Sequence, residues 1–161
     1  EFVDTVSQYS YNESISTNIG GWKDSEMRTY INDTIYNMLP NDLQKIIVST
    51  KVLSGHGKSE TENFETEDKM YLFSAKEIYG TNYQYDSIDV ETKQLDYYKN
   101  LEVTLNNNSG AKKTGANGSW WLRSARSNSD AAFIRVTTDG TIFYGLVTGG
   151  PCGVSPAFRI A

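Results

Sequence analysis

Trp120-Trp121-Leu122-Arg123-Ser124 and, near the end of the chain, Gly153-Val154-Ser155-Pro156-Ala157-Phe158-Arg159 bracket the stretch whose reading decides the fold. Residues 120–124, 132–136, 141–146 and 154–160 have the β-branched and aromatic composition of strands. Asp139-Gly140 stands between the second and third, and those residue types accept the positive φ angles of a tight hairpin turn. The unit reads as a compact antiparallel sheet whose two ends carry paired aromatic and arginine residues. Nothing in it has the pattern of a proton-transfer site or a metal cage.

Upstream, Asp24 or Ser25 is placed to cap a helix in which Met27, Tyr30, Ile31 and Ile35 recur at helical spacing. The helix runs to Met38-Leu39, where Pro40 stops it and starts a shorter one over residues 41–45. Residues 46–53 read as a strand, 55–67 as a long polar loop and 70–73 as a short buried strand. Ser74 and Glu77 have the spacing of a capping box, which opens a short helix to Tyr79 that Gly80 ends. Residues 81–100 stay open between helix and strand, 106–118 read as loop, and a short strand is expected near residues 2–6. Helices first and strands afterwards give the α+β class, with two N-terminal helices packed on a C-terminal antiparallel sheet. The expectation is one domain over residues 1–161, with 1–20 as an incomplete N-terminal edge.

Hydrophobic content of 38% supports a real core, and the unusual term is tyrosine, at 11 residues. Tyrosine presents a rigid face and a hydroxyl at low entropic cost, which suits recognition, although half-buried strand positions also use it. A net charge of −5 with no basic stripe excludes a nucleic-acid partner. No apolar run has the length of a membrane span, so no membrane insertion by this domain is expected. The chain opens at Glu1-Phe2 without a methionine, as expected of a fragment or a mature form.

Candidate chemistry is thin. His56 is the single histidine and reads as a loop residue in Gly55-His56-Gly57, since zinc needs three or four ligands. The acids Glu60, Glu62, Glu65, Glu67 and Asp68 read as a solvated loop and lack the turn glycine of a calcium site. The carboxylate pairs Asp86 with Asp89 and Glu65 with Glu67 have the residue types of a glycosidase, but acidic loop pairs are common in acidic chains. Cys152 stands alone, so no intrachain disulfide forms, and it reads as a small buried hydrophobe. No catalytic residue, cofactor or metal is assigned, and the chain reads as a non-enzyme.

The blocks Gly21-Trp22-Lys23-Asp24-Ser25-Glu26-Met27-Arg28, Leu39-Pro40-Asn41-Asp42-Leu43 and Lys69-Met70-Tyr71-Leu72-Phe73-Ser74, with Glu77-Ile78-Tyr79-Gly80, resemble a bacterial domain family of unknown function. That family resembles a component of gram-positive gut bacterial surface proteins, and the two C-terminal blocks complete the match. More distantly, Leu122-Arg123-Ser124-Ala125-Arg126 and Ala157-Phe158-Arg159 resemble the C-type-lectin-like fold of formylglycine-generating enzymes and retroelement-diversified variable proteins. The resemblance implies a C-type-lectin-like architecture with residues 126–151 as the displayed segment. The sugar-calcium motifs of true C-type lectins are absent, and Cys152 has no partner for a catalytic cysteine pair, so neither of those activities is implied.

Strand alternation sends Trp120 inward with Leu122 and leaves Trp121 and Arg123 on the other face. Trp121 is then either an aromatic binding platform or a ring covered by a loop such as 106–118. Arg123 and Arg159 read as braces, while Arg126 and Arg135 join Asn128, Asp130, Phe143 and Tyr144 as surface candidates on the display face. The expected function is a non-catalytic module that binds a glycan or a protein, in a surface-exposed or secreted bacterial protein and as part of a larger surface chain. The alternatives are a retroelement-diversified variable protein with a protein target, and a structural spacer with no ligand of its own.

Overall fold

The structure is a computed structural model that describes residues 6–88, 92–113 and 118–161. Residues 2–5 of the expected first strand lie outside the described residues; the strand seen, β1, is Val6–Tyr9. The first helical stretch then follows as α1 (Glu26–Thr29), a π-wound middle (Tyr30–Ile35) and α2 (Tyr36–Met38). Ser25 caps it, its Oγ accepting from the amide of Arg28 at 3.1 Å. The stretch stops because Leu39, ahead of Pro40, is extended. Met27, Ile31 and Ile35 point to the core. The π-wound middle carries Asn32, whose side chain donates to Met70 O and accepts from the amides of Lys69 and Met70. One side chain thus fastens the helix to residues 69 and 70.

Helix α3 (Asn41–Ile46) leads into β2 (Ile47–Val48) and β3 (Thr50–Ser54). The expected continuous strand over 46–53 is therefore two short ones, and β3 pairs with β4 (Phe64–Asp68). This corrects the loop reading of residues 55–67. The acidic run alternates: Glu65 and Glu67 face water while Thr66 and Asp68 turn inward. Asp68 is buried and accepts from Trp22 Nε1 at 2.9 Å, Arg28 Nε at 2.7 Å and Thr66 Oγ1 at 2.7 Å. The expected strand at 70–73 is a buried segment with one bridge, Tyr71 to Ala157, held further by Asn32 and by Arg123, which donates to Leu72 O and Phe73 O.

Helix α4 (Ala75–Tyr79) has the capping box in full: Ser74 Oγ accepts from Glu77 N, and Glu77 Oε2 accepts from Ser74 N. Gly80 ends it at φ 74°, a backbone state that costs glycine nothing. The open segment contains α5 (Asp96–Asn100), so the helical alternative holds there. A short 3₁₀ turn, Ser109–Ala111, follows.

Strands β5 (Trp120–Ala125), β6 (Ala132–Val136), β7 (Ile142–Leu146) and β8 (Cys152–Val154) join β1 in a five-stranded sheet of order β1-β8-β5-β6-β7. The expected strand over 154–160 splits around Pro156, and β9 (Arg159–Ile160) pairs with β2 instead. The sheet is not purely antiparallel: β5 and β8 run parallel, meeting at Trp120 and Gly153. Nor is it purely C-terminal, since β1 flanks β8. The architecture is α+β.

Every residue of β5 is buried, because it lies between β8 and β6 with both faces covered. The loop expected over Trp121 covers Trp120 instead, whose Nε1 donates to Ala111 O at 3.2 Å. Trp121 packs edge-on to Tyr11 at 5.4 Å and against Gly145, where a Cβ would come within 2.4 Å of the indole. Asp68→Ala leaves the Trp22 indole N–H buried without its partner and should cost about 2–4 kcal/mol in urea unfolding. A loss below roughly 1 kcal/mol would show that Trp22 and Arg28 find other acceptors.

Candidate ligand-binding face

The turn after β5 places Arg126 at the outer end of the sheet. Its amide donates to Ala132 O at 3.0 Å, and the next amide, Ser127, donates to Tyr85 O at 2.9 Å. These bonds bring three separate segments together, so that the Arg126 guanidinium lies 3.6 Å from the Tyr144 ring centre and 4.9 Å from that of Tyr85. Tyr83 meets Tyr85 edge-on at 5.4 Å, and Phe143, 46% exposed, stacks on Tyr144 at 4.5 Å. The Arg126 cation has no carboxylate partner among the described residues, and its Nε has no hydrogen-bond acceptor there. Burial pushes the Tyr83 hydroxyl above its ordinary range.

The expected site residues separate on this geometry. Arg126, Tyr144 and Phe143 come together, and Asn128 is exposed on the adjoining turn, closed by Ser129 N to Arg126 O at 3.1 Å. Asp130 is occupied: its carboxylate accepts from Ser59 Oγ and N at 2.6 and 2.8 Å, bonds that hold it below the usual carboxylate range. Arg135 is half-buried and turned to Cys152, with Nη1 at 3.5 Å from Sγ. Trp121 has no exposed surface, which corrects the platform reading; the central strand position leaves the ring no route to solvent. Sequence reasoning missed Tyr83 and Tyr85. Their signal was the alternation Tyr83-Gln84-Tyr85 in a stretch without clear secondary structure.

The braces behave differently from the face. Arg123 is buried, donating from Nε to Leu53 O at 2.8 Å and from Nη1 to Leu72 O at 2.7 Å and Glu77 Oε2 at 2.5 Å. Arg159 is exposed. His56 Nδ1 lies 2.6 Å from Gly57 O, and its amide donates to Ser87 Oγ, a loop arrangement with no catalytic partner among the described residues. Asp86 is half-buried against Ser124, whose Oγ donates to Oδ2 at 2.6 Å; Asp89, its suggested partner, lies outside the described residues. Burial raises the Asp86 carboxyl above its ordinary range despite that bond. Glu65 is exposed and paired with Lys51 at 2.9 Å. Burial likewise raises the Cys152 thiol, so the group stays in its unreactive form near neutrality. Among the described residues no three His, Cys, Asp or Glu side chains cluster as metal ligands, and no helix is long and apolar enough to cross a membrane.

A family model described as a domain of unknown function (DUF6273) matches residues 3–161. No curated protein and no solved structure matches the chain.

Asp86 yields a pH test. Its carboxyl is raised in the folded state, so its favourable contribution is complete below the unfolded value and is lost as the pH rises through the folded one. Asp86→Asn should therefore melt higher than the parent at neutral pH. The gap should close as the pH falls toward about 4. A gap that stays constant across thermal melts over this range would assign the effect to packing rather than charge.

Proposed function

The chain belongs to the DUF6273 family, a domain family of unknown function, and we propose that it serves there as a non-catalytic ligand-binding module. The observation that carries this reading is the Arg126 guanidinium, held against Tyr85 and Tyr144 beside exposed Phe143 and without a carboxylate partner among the described residues. Donors fixed in position beside flat apolar rings suit a ligand that offers oxygen acceptors and a stacking face together. A glycan has both, and so does a protein surface with acidic and aromatic groups. The backbone is ordered in advance by the Ala132 and Tyr85 carbonyls and the guanidinium by the two rings, so little side-chain freedom is lost on binding.

The further proposals follow the same observation. The chain forms one domain of C-type-lectin-like arrangement, supported by the position of residues 126–151 as β6, β7 and their loops, outboard of the buried central strand. It acts outside the cell or on its surface as part of a larger chain, a location supported by the resemblance of its motifs.

Replacing Arg126, Asn128 and Tyr144 together with alanine should lower affinity by more than about tenfold. The lost cation–ring contact is worth about 1–2 kcal/mol, which moves the melting temperature by only a few degrees in a chain of this size. The measurement is a glycan array, with and without calcium, on parent and variant. Retained binding by the folded triple variant would sink the proposed face, whereas a parent that binds no glycan would rule out the glycan and favour a protein ligand or a spacer role.

A further inference from the structure

Apart from the Arg126 face, a cavity of about 500 Å³ opens among β3, the segment around Gln94 and the buried Arg123. A second cavity of about 400 Å³ continues it, sharing Tyr71, Glu77, Leu95, Asp96 and Arg159. The two form one cleft with unlike ends. Its first end holds Arg123, Lys93 and Thr50, and its second holds Phe73, Pro156 and Phe158. No residue of the cleft belongs to the Arg126 face.

The cleft has its own electrostatics. Arg123 has a side chain only 2% exposed, yet it lines the cavity. A guanidinium has five N–H donors. Nε serves Leu53 O, and Nη1 serves Leu72 O and Glu77 Oε2, which leaves the two hydrogens of Nη2 without a partner among the described residues. Unused donors of a buried cation are costly unless a ligand or water accepts them. Lys93 adds exposed positive charge at the same end and Arg159 where the two cavities meet, while Lys51 is already paired with Glu65. In a chain of net charge −5 this is a local cationic site facing an aromatic one. Glu77, 2.5 Å from Arg123, and Asp96 offset two of the three cations Arg123, Lys93 and Arg159, leaving one net positive charge that a single negative charge matches.

We propose that this cleft binds a monocarboxylate with an aromatic-sized apolar body, its carboxylate on Arg123 Nη2 and Arg159 and its body against Phe73 and Phe158. Such a cavity falls in the size range of small-molecule sites, with a polar, charged first end and a more apolar second one.

The probe is 3-phenylpropionate, followed by amide shifts in nitrogen–proton NMR spectra of the whole domain. Saturable shifts at Tyr71, Glu77, Leu95 and Arg159 are expected, with affinity of roughly millimolar strength. Arg159→Glu and Lys93→Glu lie at exposed positions, and their folding is checked by melting. Each should weaken binding, and the pair together by about tenfold or more. The proposal is overturned if 3-phenylpropylamine or phenyl phosphate binds as well as the carboxylate, if the shifts fall outside the cleft, or if the folded double variant keeps the parent's affinity.

Discussion

A guanidinium placed inside a protein must find acceptors, and Arg123 on the central strand organises its neighbours by that demand. Its three bonds reach β3 through Leu53 O, the buried 70–73 segment through Leu72 O, and α4 through Glu77. Its amide adds a fourth tie, to Phe73 O at 3.0 Å. Glu77 in turn completes the cap of α4, so the helix start and the strand centre share one carboxylate oxygen. Nothing apolar could join four separate segments in this way. The hydrophobic core supplies most of the favourable energy, and the arginine decides which arrangement of that core is adopted.

Asp68 plays the corresponding part at the start of the first helix. It gathers Trp22, Arg28 and Thr66 around one carboxylate, locking the β3–β4 hairpin to α1. Asn32 does the same for Lys69 and Met70. The interior thus uses short polar side chains as fasteners wherever regular ladder bonding gives out. That is why a chain with short helices and several two- to five-residue strands still holds one continuous core.

The two candidate binding regions differ in how their cations are held. Arg126 rests against rings and has no carboxylate beside it among the described residues, whereas Arg123 is locked by backbone oxygens and Glu77. The first sits on an exposed face suited to a large ligand, the second at the closed end of a cleft suited to a small one. Edge strand β7 adds to the contrast: Phe143 and Leu146 project into water while the central strand shows nothing.

Signals carried by neighbouring residues were determined by the sequence alone. The Ser25 cap, the Ser74–Glu77 box, the Gly80 stop and the Asp139-Gly140 turn all close within a few residues. In that turn the Asp139 carboxylate takes Thr137 Oγ1 and Thr141 N, bonds that hold it down at about 2. Strands β6 and β7 were legible for the same reason, as was the α+β class. Tertiary structure alone decided the rest. Alternation in residues 64–68 becomes a strand only when β3 offers its edge, and the parallel pairing of β5 with β8 depends on where the chain returns. Whether Trp121 is a platform or core depends on Tyr11 and on the missing side chain of Gly145. The tyrosines around Arg126 come from residues 85 and 144, far apart in sequence, so no local pattern could announce their meeting. Local bonding is written in adjacent backbone groups; burial and partnership are set by which distant segments the core brings together.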